Sequence, residues 1–569
     1  MSRALARKFG LIVLLAVPWL GAPSAHADGD LGKVNHIIIV MQENHSFDNY
    51  FGVLPLAPKL NTTTGVPLGL GPYHNNNSAT GSNGGCPTSD HLCVDGLNCT
   101  RDALGNYACA NSNVEDDGST QVFSFHDTNY CVAPDVDHSW LPSHLEGNYS
   151  SPNLTFGPSP NDGFVRVNDR TEQHDSSTGE TPTDDDTMGF YDERDLAYYY
   201  ALAQTFAIDD RYFCDVVGPT IPNRFYLMAA TSFGHLTTTV GELFPPFNTS
   251  GRFGPGSYYQ PINGTIFDLL DDAGVSWVDY FSDLPQAGDF RDPASVSGAG
   301  HFKAATTPPG GPPADFFVDA STPGCGLPRV ALVDPILVGS LGNNSTDEHP
   351  PHDIRAGQKF VSQVVDAVRN GPCWNDSIIF INYDEHGGFY DHVAPAIANQ
   401  NGAMTPDGIF PGQCADASNP MGGSENAGGG QQCSDSRAAA ASLCAAPYIP
   451  TGASGFTLTG PYPAYCAAFD TLGFRVPFIA VSPFSKPQYV SHTTGDHTSL
   501  LALIEKRFLN GKHLNARDGN ANTLEDMFDF DHSLSAGMSV SSTLAPEPDL
   551  VLDGNGSCTQ SSGLPGVPF

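Results

Sequence analysis

The sequence predicts an α/β protein with a mostly parallel central sheet, flanked by helices and carrying loop insertions tied by disulfides. Three observations predict it. Apolar runs rich in β-branched residues stop abruptly at polar groups, helical patterns lie between those runs, and cysteines gather in two stretches rich in Gly, Asn and Ser.

The strands come first. "VNHIIIVMQEN" at residues 34–44 is a buried-strand pattern that ends in Glu43 and Asn44. "SIIFINYDEHGG" at 377–388 has the same form and ends in Asp384, Glu385, His386 and two glycines. Residues 274–281 and 475–483 supply two more buried-strand candidates. Helical patterns fall at 192–206, 265–273, 356–369 and 498–508, between the strands, which is the alternation of a parallel sheet.

Two segments break that rhythm. Residues of about 53–125 and 396–470 read as insertions. The cysteines fall in two loop-like groups, Cys86, Cys93, Cys99, Cys109 and Cys131, then Cys414, Cys433, Cys444 and Cys466. No CxxC pair occurs, so structural stapling is expected over zinc knuckles, with the pairing left open. The thirteen cysteines are odd in number, and Cys214, in an apolar setting, is expected to be the free thiol.

The first 27 residues carry Arg3, Arg7 and Lys8, then a short apolar run, then "AHA". That is the pattern of a signal peptide cut after Ala27, and it predicts a secreted or periplasmic protein. One catalytic domain is expected over residues 28–535, followed by a Ser/Pro/Gly-rich tail at 536–569. Against 25 Lys+Arg stand 62 Asp+Glu, a formal net charge of −37, which excludes nucleic-acid binding through a general basic surface. An anionic substrate would need a local cationic centre, most simply a metal ion.

Strand ends are where open α/β sheets place ligands. Glu43 with Asn44 and Asp384 with Glu385, brought together, make a hard-oxygen cation site, and an ion relieves the repulsion among three carboxylates. "CDVVGPTIPNRFYLMAA" at 214–230 puts Thr220 at the mouth of an apolar helix, where it is expected as the N-cap. The same helix end suits an anion, and the threonine hydroxyl there could serve as a nucleophile. His138, His349 and His497 are the histidines placed to meet a phosphate oxygen or a leaving group. His497 stands at the start of a second apolar helix.

"HIIIVMQENHSFDNYFG", "GPTIPNRFYLMAAT", "EHPPHDIRAGQKF", "YDEHGGFYDHVAP" and "DHTSLLALIEKRF" occur in that order between about His36 and Phe508. The series resembles the bacterial phosphoesterase family, which joins non-specific phospholipases C to a group of acid phosphatases on an alkaline-phosphatase-like fold. The resemblance implies one divalent metal ion bound by Glu43, Asn44, Thr220, Asp384 and Glu385, with Thr220 also the nucleophile. It places His138, His349 and His497 around the phosphoryl group, with His349 or His497 protonating the leaving oxygen. It gives His386 and Asp391 less certain duties in ordering their loop, and it offers no counterpart for His352. The implied substrate is a phospholipid or another phosphate ester, and a lipid substrate implies transient contact with a membrane surface. "TIPNR" also has the T-x-P-x-R spacing of the sulfatase motif, but threonine cannot be oxidised to the aldehyde that sulfatases need. Threonine at this position resembles the phospholipases of the family, serine its acid phosphatases.

Overall fold

The computed structural model describes residues 29–60, 67–75, 85–115, 118–132, 135–147, 161–172, 186–236, 238, 259–291, 300–306, 311, 313–337, 345–398, 406–409, 469 and 471–531. The expected signal peptide, the tail and most of the second insertion, with its four cysteines, lie outside the described residues.

Eight strands form the central sheet: β1 (His36–Gln42), β2 (Ala207–Asp209), β3 (Trp277–Phe281), β4 (Phe302–Ala304), β5 (Val330–Val333), β6 (Ser377–Tyr383), β7 (Ile479–Val481) and β8 (Tyr489–Ser491). Their order across the sheet is β4-β3-β5-β1-β6-β7-β2-β8. Every residue of β1 and β6 is buried, as strands covered on both faces require, and this is why both read as unbroken apolar runs. The sheet is mostly parallel. Only β7 runs against its neighbours β6 and β2.

Seven helices matter for the site: α1 (Phe47–Phe51), α2 (Trp140–Glu146), α3 (Ala197–Ala203), α4 (Thr220–Ala229), α5 (Ile266–Ala273), α6 (Ile354–Arg369) and α7 (His497–Phe508). Three begin as their sequences dictate. Thr265 and Asp268 form a capping box on α5, Asp496 and Ser499 another on α7, and the Asp353 carboxylate accepts from the Arg355 amide at the head of α6. Along α6, Ile354, Phe360, Val361, Val364, Val365 and Val368 recur at helical spacing and are buried. α4 packs against α7, so two helix starts meet at one end of the sheet.

The first insertion is built of short strand pairs. Cys99–Arg101 pairs antiparallel with Tyr107–Cys109, and the Cys99–Cys109 disulfide closes that pair. Cys86–Cys93 ties the same region, and Cys131 is also disulfide-bonded. A further bridge, Cys325–Cys373, lies outside both expected cysteine groups and joins the loop before β5 to the segment that leads into β6. Cys214 is a free, buried thiol, as its apolar surroundings predicted.

One local expectation is corrected. Thr220 is not the N-cap of α4 but its first helical residue; Pro219 caps the helix with an extended backbone and no side-chain bond. The first-turn amide of Ile221 is instead satisfied by the Thr238 hydroxyl, and the Asn223 side chain braces the loop before the helix, donating to the carbonyls of Gly218 and Pro219 and accepting from the amides of Asp215 and Val216. The threonine hydroxyl is thereby released from the helix end.

Candidate active site

β1 and β6 are parallel neighbours whose last register pair is Gln42 with Tyr383. The next residues of each chain, Glu43-Asn44 and Asp384-Glu385, therefore leave the sheet side by side. The ladder runs one backbone bond further and then passes to a side chain. The Asp384 amide donates to the Gln42 carbonyl at 3.1 Å, and the Asn44 amide donates to Asp384 Oδ1 at 3.2 Å.

Beyond that pair both chains turn sharply. Asn44 takes a left-handed backbone (φ 63°), a conformation asparagine tolerates better than most residues. Ser46 then caps α1, its hydroxyl accepting from the Asn49 amide. On the other strand Gly387 has φ 62°, and a Cβ there would lie 2.2 Å from the Asn44 carbonyl oxygen. Only glycine fits, which accounts for the first of the two glycines after Asp384-Glu385-His386.

α4 approaches these strand tips from the side. Four residues after Thr220, and so on the same helix face, Arg224 reaches both tips: Nη2 lies 2.9 Å from Glu43 Oε1, and Nε donates to Asp384 Oδ2 at 2.8 Å. Arg224 is 2% exposed, and its Nη1 has no hydrogen-bond partner. Thr220, Glu43, Arg224 and His349 line one cleft, with Leu284 and Leu337 on its apolar side. Among the described residues none hydrogen-bonds the Thr220 hydroxyl. The neighbouring Ile221 amide is occupied, donating to the Thr238 hydroxyl at 3.0 Å, so it is not free for an anion.

The electrostatics of this corner are those of crowded acids. Burial pushes Glu43 well above the usual carboxylate range; the Arg224 guanidinium opposes this, while Asp384, Asp347 and Glu385 add to it. Burial pushes Glu385 up to about 8, against the pull of His138. Two buried oxygens, Asn44 Oδ1 and Glu385 Oε1, have no hydrogen-bond partner. Orphaned acceptors among buried carboxylates fit a hard cation. The Glu43, Asp384 and Glu385 carboxylates do not converge within 4.8 Å of one another, and Arg224 already occupies one oxygen of Glu43 and one of Asp384, so a cation there needs the strand tips to close around it.

The three histidines differ. His138 Nε2 lies 3.2 Å from Asn44 Nδ2 and 3.7 Å from Glu385 Oε1, which places it at the strand tips. Burial opposes its charge, but Glu385 and Asp135 outweigh that and raise its pKa to about 10. His349 lines the cleft itself, its ring centre 6.0 Å from that of His138. His497 is wholly buried and has both ring nitrogens engaged: Nε2 donates to the Asp384 carbonyl at 2.8 Å, and Nδ1 accepts from the Tyr212 hydroxyl at 3.1 Å. Burial lowers its pKa to about 3. A histidine so held fixes the backbone of Asp384 and has no proton to spare, which differs from the leaving-group role expected for it.

The remaining motif residues are structural. His386 bonds Glu146 of α2 at 2.8 Å, and Asp391 accepts from the Arg475 guanidinium at 2.9 Å. His352 bonds Asp347 at 2.9 Å. Sequence reasoning overlooked Arg224, whose signal was its spacing of four from Thr220. It also overlooked Asp135 and Tyr212, for which nothing local gave a sign.

The Phosphoesterase family matches residues 34–509, most of the chain and all of the site. The chain belongs to that family. Phospholipase C B of Mycobacterium tuberculosis is 29% identical over 507 residues, covering 84% of this chain and 74% of that protein. Non-specific phospholipase C4 of Arabidopsis thaliana is 28% identical over 444 residues, covering 74% and 67%. Non-specific phospholipase C1 of the same plant is 26% identical over 507 residues, covering 87% and 71%. Among solved structures, a phosphonate monoester hydrolase from Silicibacter pomeroyi superposes with a TM-score of 0.26 at 11% identity, over 55% of this chain and 68% of that one, a likeness too weak to argue from. This phosphoesterase is thus similar to phospholipases C along most of its length, and its five motifs converge on the strand tips and helix starts described above.

Proposed function

We propose that this phosphoesterase is a secreted, metal-dependent phospholipase C that cleaves phosphatidylcholine-like lipids through an ester on Thr220. One observation carries the reading: a threonine hydroxyl without a hydrogen-bond partner among the described residues stands in the cleft beside Glu43, Arg224 and His349.

The Thr220 oxygen attacks phosphorus in line, forming the Thr220 O–P bond as the bond from phosphorus to the diacylglycerol oxygen breaks. The head group stays on phosphorus, so the intermediate is a threonine phosphodiester. Water then attacks phosphorus, frees the phosphorylated head group and restores the hydroxyl. A divalent ion held by Glu43, Asn44, Thr220, Asp384 and Glu385 would supply the positive charge that acidifies the hydroxyl and offsets charge on the phosphoryl oxygens. Arg224 keeps the two strand tips in register with Thr220 and brings a positive charge to the floor of the cleft. Burial keeps the His349 imidazole neutral, so it takes up the proton that the Thr220 hydroxyl loses and passes it to the diacylglycerol oxygen as that oxygen leaves, while His497 acts at a distance by holding Asp384. Leu284 and Leu337 give that cleft an apolar side suited to glycerol and the first acyl carbons.

The phospholipase names of the relatives support a lipid diester as substrate, and the N-terminal residues support export. Purified protein assayed on phosphatidylcholine vesicles and on a water-soluble phosphomonoester tests the reading. Release of phosphocholine supports it, and hydrolysis of the monoester alone would make the protein an acid phosphatase. A protein that binds either compound without turnover would be a phosphate or head-group receptor.

A further inference from the structure

Glu348 is wholly buried, and its backbone is left-handed (φ 74°), a conformation that strains a residue with a Cβ. Hydrogen bonds hold it there from several sides. Oε1 accepts from the Tyr199 hydroxyl at 2.6 Å and from the Gln42 amide group at 3.1 Å. Oε2 accepts from the hydroxyls of Tyr50 and Tyr383, each at 2.6 Å. The Glu348 carbonyl accepts from His45 Nε2 at 2.9 Å.

α6 leaves a place for this side chain. A Cβ on Gly357 would lie 2.1 Å from Glu348 Cγ and 2.5 Å from its Oε1. Glycine is a poor residue inside a helix, and here its missing side chain makes the room that the carboxyl occupies.

The partners of Glu348 share one feature. Gln42 directly precedes Glu43, His45 directly follows Asn44, and Tyr383 directly precedes Asp384. Glu348 itself directly precedes His349. Both strand tips and the histidine of the cleft therefore hang from neighbours fastened to this one residue. The backbone follows suit, since the Glu43 amide donates to the Asp347 carbonyl at 2.8 Å. Tyr50 of α1 and Tyr199 of α3 tie the same carboxyl to two helices.

Stability gives little reason for an acid at this place. Among the described residues Glu348 has no ion-pair partner, unlike Asp384 and Asp391, which hold Arg224 and Arg475. A buried carboxylate without an opposite charge weakens a fold.

We propose that Glu348 is a positioning residue of the active site, which sets the Glu43-Asn44 and Asp384 tips against His349 through Gln42, His45 and Tyr383. It touches no reacting atom. The anchoring rests on geometry alone; that the parts it aligns perform catalysis rests on the phosphoesterase reading above.

The test compares the native chain with Glu348→Gln and Tyr199→Phe on two soluble chromogenic esters, p-nitrophenyl phosphocholine and p-nitrophenyl phosphate, with kcat counted per folded molecule. Glu348→Gln keeps the size of the side chain but puts an amide NH2 where hydroxyls point. The expected result is a kcat lowered about tenfold to a hundredfold with KM within about threefold, because groups displaced by about an ångström still bind the ester but no longer line up on phosphorus. Tyr199→Phe removes one hydroxyl outside the cleft, and a smaller loss of about threefold, again in kcat, is expected. A merely structural role would lower denaturant midpoints and leave kcat per folded molecule unchanged. That result, or a loss confined to KM, overturns the proposal. Should Glu348→Gln fail to fold, Tyr199→Phe decides alone. If the native chain cleaves neither ester, the Thr220 reading falls, and crystal structures of the native and Glu348→Gln proteins decide instead. A shift of His349 against Glu43 and Asp384 then supports the proposal, and unchanged distances overturn it.

Discussion

Arg224 Nε lies 2.8 Å from Asp384 Oδ2, so the helix that begins at Thr220 is tied to the tip of β6 through a buried ion pair. The same guanidinium takes Glu43 at the tip of β1. One side chain thus sets the distance between the proposed nucleophile and both strands that carry the acids.

Arg224→Ala is expected to destabilise the fold by about 3–5 kcal/mol, because it leaves buried carboxylates without their partner. Arg224→Lys should fall between this and the native chain, since a single ammonium cannot reproduce the fork that spans two carboxylates. Denaturant midpoints measure both. Equal stability of Arg224→Ala and the native chain would show that the tie carries no energy.

Thr220→Ala is expected to keep its stability within about 1 kcal/mol, since the hydroxyl forms no bond that the fold depends on. Turnover should drop on the order of 10³-fold or more, as it does when a nucleophile is removed. Thr220→Ser should retain part of the activity. Full activity in the alanine variant would end the nucleophile assignment.

Glu348 predicts a pH dependence away from the acids of the strand tips. It is wholly buried, and the hydroxyls of Tyr50, Tyr199 and Tyr383 each donate to it at 2.6 Å. Burial nevertheless pushes its pKa up to about 7 from 4.5. A carboxyl with a raised folded-state pKa contributes stability that is full below its unfolded value near 4.5 and is lost as pH rises through 7. The span is worth roughly 3 kcal/mol. Denaturant midpoints should fall between pH 5 and 8 in the native chain, and Glu348→Gln, which cannot ionise, should flatten that fall. Parallel pH profiles for the two proteins would contradict it.

The Cys325–Cys373 bridge spans 48 residues, across β5 and the cleft residues that follow it. Cys373→Ser is expected to lower stability by about 2–4 kcal/mol through the freed loop. A melting temperature unchanged by the substitution, or by reduction of the native protein, would show that the bridge adds nothing.

Much of this was legible because the site grows from strands buried on both faces. β1 and β6 announce themselves as apolar runs, and parallel pairing then forces Glu43-Asn44 beside Asp384-Glu385. β5 was missed although it lies between β3 and β1, because "VALV" is too short to carry a period. β2 was missed as well, because three residues directly after the helical pattern at 192–206 are too few to carry a period. The reversed direction of β7 is likewise silent in sequence, since a buried strand reads the same both ways. Thr220 looked like a cap because local propensity favours one; Thr238, eighteen positions on, takes the first-turn amide of Ile221 instead. Asp135 meets His349 across more than two hundred positions, and no local pattern records such an encounter.

The covalent ester on Thr220 is the most direct test of the account. Protein turning over phosphatidylcholine is quenched in acid, digested and mapped by mass spectrometry. The account predicts a phosphocholine group on the peptide containing Thr220, absent from Thr220→Ala. Steady turnover with no modified Thr220, or with the group on another residue, would contradict it.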